Sequence, residues 1–165
     1  MRVEAVQGDI TTESSDAIVN AANAALAPGG GVCGAIFAAA GPELARACAA
    51  VAPCPTGEAV ATPGFALGAR WIIHAVGPQW RGGDHGEPDL LASTYRRVLE
   101  VADDLGARSV SVPAISTGIY GYPLDAATSI AVATVRATPS RVETVRFVCF
   151  DRATLEVYQR ALATA

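Results

Sequence analysis

At 165 residues the chain has the length of one ordinary domain, and a composition that is 51% hydrophobic and 17% charged fills a core and excludes intrinsic disorder. Twelve basic against sixteen acidic side chains leave a formal net charge of -4, so no broad cationic field exists to hold duplex nucleic acid by counterion release. All twelve basic residues are arginine; without lysine, Schiff-base chemistry, Ser-Lys dyads and the Walker-A phosphate lysine are excluded together.

Residues 2–7 alternate with period two, and 17–20 form a short β-branched run ending in a polar residue; both predict strands. From 34 to about 51 small apolar residues recur at helical spacing, broken at Gly41-Pro42, which predicts two short helices. Residues 71–76 form a continuous apolar strand closed by Gly77-Pro78, and 90–105 carry Leu91, Tyr95, Val98, Leu99 and Ala102 on one helical face. The alternation then repeats: strand 110–115, helix 126–137, strand 145–150 and a closing helix 155–162. Residues 82–88 form a polar loop that is expected to be mobile. Strands alternating with helices predict an α/β domain with a largely parallel sheet covered on both faces. Ligands of such folds bind beyond the carboxyl ends of the strands.

The cysteines, Cys33, Cys48, Cys54 and Cys149, are widely spread, with no C-x-x-C and no histidine at zinc-ligand spacing, so structural thiols are expected ahead of a disulfide or a metal site. Met1-Arg2 leads directly into a strand pattern and no segment approaches the ~18 apolar residues of a membrane span. No membrane association is expected, and the location is expected to be cytoplasmic.

The loops after the strands carry the functional signal. Gly29-Gly30-Gly31-Val32-Cys33-Gly34 lies between a strand and an alanine-rich helix, where uncapped amides and the helix dipole favour an anion. A second loop of the same kind, Ser116-Thr117-Gly118-Ile119-Tyr120-Gly121-Tyr122-Pro123, follows another buried strand. Two such loops suggest two linked phosphates held mainly by backbone N–H groups, and neither the P-loop nor the G-x-G-x-x-G pattern is present. Asp9 after the first strand suits either a turn cap or an acceptor for a ligand amino or hydroxyl group. Phe150 suits either the core or the face of a base.

The ordered set Gly8-Asp9-Ile10-Thr11, Asp16 to Asn23, Gly29 to Val32, Ile73-His74-Ala75-Val76-Gly77-Pro78 and Pro113 to Pro123 closely resembles the macrodomain family in its MacroD-type branch. The resemblance implies a three-layer α/β/α domain with a mixed, mostly parallel sheet of about six strands and an ADP-ribose pocket. Carried over residue by residue, Asp9 takes the adenine amino group, Ile10 lies by the base and Phe150 packs on it. Asn23 bonds the distal ribose and Asn20 belongs to the same ligand-binding set. Gly31, Val32, Cys33 and Gly34 wrap the diphosphate from one side and Ser116, Thr117, Gly118, Ile119 and Tyr120 from the other, with the Tyr120 ring on the distal ribose. The implied activity is removal of ADP-ribose from acidic side chains of modified proteins, and deacetylation of O-acetyl-ADP-ribose, by water at the ester-linked ribose. ADP-ribose and ADP-ribosylated proteins are then the partners; no metal or other cofactor is expected, and the chain is expected to be a monomer.

The chain departs from the branch where its glycine motif continues with the aspartate assigned to the attacking water: that position is Cys33, and Phe37 stands where the family often carries histidine. A neutral thiol is a weak acceptor and a poor base, so Cys33 is either a small lining residue or a diminished catalytic one, with Asn23 left to orient the reactants. Asp84, His85 and Glu87 in the polar loop are candidates for a replacement base. A hydrolase and a non-catalytic reader of ADP-ribosylated proteins both fit.

Overall fold

The computed structural model describes residues 1–164. In chain order the elements are β1 (Arg2–Gln7), a 3-10 turn (Ile10–Thr12), β2 (Ala17–Ala21), α1 (Gly31–Ala40), α2 (Glu43–Val51), β3 (Ala59–Pro63), β4 (Trp71–Ala75), α3 (Glu87–Leu105), β5 (Ser109–Val112), α4 (Leu124–Ala137), β6 (Thr144–Cys149) and α5 (Arg152–Ala163). They form one six-stranded sheet of order β1-β6-β5-β2-β4-β3, parallel except for the edge strand β3.

Successive side chains of a strand face opposite sides of the sheet, and here both sides are apolar. Ile18, Ile72 and Val148 point to the layer built by α1 and α2, where Ile36, Leu44 and Cys48 close the core. Val19, Ile73 and Phe147 point to the layer of α3, α4 and α5, where Leu91, Tyr95, Ala131 and Tyr158 meet them. Two-sided burial is why these strands read as continuous hydrophobic runs. No single helix among the described residues is long and apolar enough to cross a membrane.

Several boundaries move, and each shift matters to the site. The strand expected over 110–115 ends at Val112, because Pro113 has no amide to give to a ladder and releases residues 113–115 into a loop. The strand expected to reach Phe150 ends at Cys149, and Phe150 turns outward, 82% exposed rather than in the core. Helix α1 begins at Gly31, three residues before the expected start, so the end of the glycine run is itself the first helical turn. Strand β3 carries only small residues and a terminal proline, a pattern with little strand signal. Its antiparallel partner β4 makes it a strand, and its proline is tolerated at the sheet edge. The helix expected at 90 begins at Glu87, with Pro88 in its first turn.

The sheet also opens where it should for a ligand. β2 pairs with β4 along its whole length but with β5 only at Ala17 and Ile18, so beyond those residues the carboxyl ends of β2 and β5 diverge.

Candidate functional site

A cleft of about 640 Å³ fills that divergence and extends to the ends of β1 and β6. From the first loop Gly31, Val32 and Cys33 line it; from the second, Ser116, Thr117, Gly118, Ile119 and Tyr120; from the strand exits, Asp9, Ile10, Asn23 and Phe150. Twelve of the fourteen ligand-binding candidates are thus drawn to one place, and two are not. Gly34 is not part of the wall but supports it: a Cβ there would lie 2.5 Å from the Gly29 carbonyl oxygen, so only glycine lets the loop close on the helix. Asn20 stands behind the wall, fully buried, with Nδ2 donating to the His74 ring Nδ1 at 3.0 Å and to Cys33 Sγ at 3.8 Å.

The first loop offers amides without acceptors. Among the described residues the N–H groups of Gly29, Gly30, Gly31, Val32 and Cys33 have no protein partner, and Gly30 caps α1 without a side-chain bond. These are the orphan donors of a helix start, where the dipole is positive. The loop is shaped by Asn23, whose Oδ1 accepts from the Ala27 amide (3.0 Å) while its Nδ2 donates to the Ala27 carbonyl (2.9 Å). Each end of that amide keeps one further hydrogen-bonding position. Cys33 Sγ also donates to the Ala27 carbonyl, at 3.7 Å.

The second loop is fastened at its neck, where the Tyr122 amide donates to the Ser116 carbonyl (2.9 Å), and at its tip, where the Trp80 amide donates to the Tyr120 carbonyl (2.8 Å). The Trp80 and Tyr122 rings pack at 4.6 Å behind it. The amides of Gly118, Ile119 and Tyr120 have no backbone acceptor among the described residues. Ser116 holds φ +70°, a conformation that costs a non-glycine residue about 1–3 kcal/mol, and its buried hydroxyl has no partner. Strain and an unsatisfied buried hydroxyl thus coincide at one residue of the cleft wall.

Asp9 serves as a cap with one oxygen: its Oδ1 accepts from the Thr11 hydroxyl (2.7 Å) and amide (2.9 Å), which hold the exposed carboxyl below the usual carboxylate range. Its Oδ2 accepts from no donor among the described residues, and Asp9 lines the cleft together with the exposed Phe150. The cap and ligand readings of Asp9 are therefore compatible.

The 82–88 loop, whose charged residues were candidates for a replacement base, does not bring them to the cleft. Glu87 is buried in the first turn of α3, and its carboxylate accepts from the amides of Arg81 (2.9 Å), Gly83 (2.9 Å) and His85 (2.6 Å). Burial alone would raise its pKa; those amides outweigh it and bring it to about 2. The loop expected to be mobile is pinned by this carboxylate. Asp84 and His85 stay on its exposed side and do not line the cleft.

Sequence reasoning assigned no site role to three residues that stand at or behind the wall. Asp151 and Thr154, at the start of α5, join the wall beside Phe150, with Asp151 capping the Thr154 amide at 2.8 Å; a cap residue directly after a buried strand was the available signal. His74 lies beneath Asn20, its Nε2 2.9 Å from Thr62 Oγ1, and burial pushes its pKa down to about 4, so it is neutral. Cys48, Cys54 and Cys149 are free, buried thiols away from the cleft.

Comparison with known proteins places this architecture. The profile of the Macro domain matches residues 19–131. A Macro domain-containing protein of Chlorobaculum tepidum is 52% identical over 164 residues, spanning 98% of this chain and 95% of that protein. A Salmonella typhimurium protein named O-acetyl-ADP-ribose deacetylase is 51% identical over 168 residues, with 98% and 94% covered. The Oceanobacillus iheyensis macrodomain solved with ADP superposes with a TM-score of 0.92 at 43% identity, over 96% of this chain and 88% of that one. The Trypanosoma brucei macrodomain in complex with ADP-ribose superposes at 0.89 with 38% identity, over 98% and 69%. With that profile matched over more than half of the chain and relatives about half identical along nearly all of it, this chain belongs to the Macro domain family.

Proposed function

We propose that this protein binds ADP-ribose in the cleft and hydrolyses an ester on its distal ribose, acting on O-acetyl-ADP-ribose and on ADP-ribose attached to acidic side chains of proteins. The observation that carries the reading is the pair of unengaged amide runs, 29–33 and 118–120, facing one cleft in a chain with no lysine. Neutral N–H donors at a helix start and in a strained loop satisfy phosphate oxygens without a basic patch.

The diphosphate then fixes the two ends of the ligand. Adenine lies toward Asp9 Oδ2, an acceptor for its amino group, with the exposed Phe150 face against the ring. The distal ribose lies toward Asn23, whose spare donor and acceptor suit ribose hydroxyls, and toward the Tyr120 ring. Water adds to the ester carbonyl, the ribose oxygen leaves with a proton, and ADP-ribose and a carboxylic acid result. Cys33 supplies no strong base for that water, so the proton passes to a phosphate oxygen of the ligand while Asn23 and the loops hold the geometry. The names of the Salmonella relative and of the ADP and ADP-ribose complexes support the substrate class.

Calorimetry with ADP-ribose tests the binding half. Asp9→Ala is expected to weaken binding by about 1.5–3 kcal/mol, the worth of a charge-assisted hydrogen bond; affinity equal to the parent would remove Asp9 from the adenine site. Release of ADP-ribose from O-acetyl-ADP-ribose and from an acid-modified protein tests the chemistry. Cys33 is the specific observation that favours the second reading, a reader without turnover. Tight binding with no release at micromolar enzyme over hours would establish it.

A further inference from the structure

The second loop leaves the sheet before its neighbours do. β5 ends at Val112, Pro113 carries no amide, and the next buried donor is the N–H of Ile115, itself 1% exposed and beyond reach of any strand. That amide donates to the phenol oxygen of Tyr95, at 3.2 Å, and has no other acceptor among the described residues. Tyr95 comes from the middle of α3, is 1% exposed, and sits edge-on to Phe147 of β6 at 6.3 Å, so its ring is held from the side. Burial raises its pKa to about 12, which keeps the oxygen a neutral acceptor.

Immediately after the bonded amide the chain reverses at Ser116, and the Ser116 carbonyl is the acceptor that closes the loop neck. The same turn rests on Gly77 at the exit of β4, where a Cβ would lie 2.2 Å from Ser116 Oγ and 2.5 Å from Ile115 Cγ2. That exit is met in turn by the residue next to Tyr95: Thr94 Oγ1 lies 3.2 Å from the Val76 carbonyl and 2.8 Å from the Leu90 carbonyl of its own helix, its one proton shared between the two. Consecutive hydroxyls of α3 therefore locate both sides of the contact from which the amides of 118–120 project.

We infer that Tyr95, which does not line the cleft, is a positioning residue for the diphosphate: its hydroxyl sets where the chain departs from β5 and so aims the Gly118, Ile119 and Tyr120 amides into the cleft. The inference rests on the reading that the cleft takes ADP-ribose. Its physical basis is that hydrogen bonds to phosphate weaken steeply with misalignment, while a buried amide deprived of its acceptor drives the local backbone to rearrange.

The test compares Tyr95→Phe with Val135→Ala. The second truncates a buried side chain of α4 in the same core, one with no hydrogen-bonding group and no place in the cleft wall. Tyr95→Phe is expected to weaken ADP binding about three- to tenfold, as for loss of one net hydrogen bond, and to speed exchange of the Ile115 amide. Val135→Ala is expected to leave ADP affinity within about twofold even where its melting temperature falls as far. ADP affinity unchanged in Tyr95→Phe, or losses in both variants that simply follow stability, would overturn the inference while leaving the functional reading intact. An unliganded parent whose Ile115 amide exchanges freely would also overturn it, independently of whether either variant folds. A parent that binds neither ADP nor ADP-ribose overturns the functional reading, and the inference with it.

Discussion

The loop of residues 29–34 is held by its own neighbours in sequence: Asn23 brackets Ala27, Gly34 lies under the Gly29 carbonyl, and α1 starts within the glycine run. The loop of residues 113–122 is held from a distance, by Tyr95 at its entry, by Gly77 beneath Ser116 and by the Trp80 amide at its tip. Both present unengaged amides to one cleft, yet the first derives its shape from local backbone geometry and the second from what α3 and the 77–87 segment place against it. The lesson is that equivalent binding surfaces can fail by different routes: the first through steric change inside the loop, the second through change in elements the ligand never touches.

The largest expected effect separates chemistry from shape within the first loop. Cys33→Asp restores a carboxylate at the cleft-lining position without altering the glycines, and is expected to raise turnover by about 10² or more, in the range of a general base, with ADP-ribose affinity little changed. Single-turnover kinetics beside calorimetry reads both quantities; an unaltered rate would make residue 33 a bystander and shift the contrast wholly to shape. Next is Gly34→Ala, which sets a methyl 2.5 Å from the Gly29 oxygen, a backbone atom that can yield only by opening the loop. Overpacking of this kind costs about 1–3 kcal/mol, and the loss is expected in ADP affinity as well as in melting temperature. Full affinity in a folded Gly34→Ala protein would show that local closure is not what holds the first cradle.

The smallest effect belongs to the remote support. Glu87→Gln loosens the 81–86 segment while the Trp80–Tyr120 bond remains, so ADP affinity is expected to fall by no more than about threefold. Its signature is in pH. The folded carboxyl lies at about 2, below its ordinary 4.5, so its contribution is complete above 4.5 and is lost as pH falls toward 2. The melting-temperature gap between parent and Glu87→Gln should therefore be widest near neutral pH and close in that acid window; a gap independent of pH would remove the ionised carboxylate from the account. His74, held at about 4 against an ordinary 6.5, destabilises both proteins as pH falls from 6.5 to 4, because only the unfolded chain takes up the proton readily there.

Much of this was legible in the residues. Five strands and five helices stand in the predicted order, because two-sided burial writes each inner strand as an apolar run and each helix as a 3.6-residue stripe. The glycine run of 29–34 was legible because a loop that exposes its backbone is short of side chains, and Asp9 because a strand-end carboxylate stands out against apolar surroundings. β3 was not legible, since Ala59–Pro63 becomes a strand only through pairing with β4. Nor was Glu87, whose polar neighbourhood reads as a solvated loop until three amides are seen to converge on it.

The order of elements, the absence of lysine, the run of glycines and the thiol at position 33 are properties of the chain alone, set by residue type and spacing. Which amides stay free, that Phe150 faces outward, that Asn20 lies behind Cys33 and that Tyr95 meets Ile115 were decided only by assembly. Each depends on groups brought together by the divergence of β2 from β5 and by packing of α3 on the sheet, and hydrogen bonds between residues far apart along the chain leave no periodic trace in it.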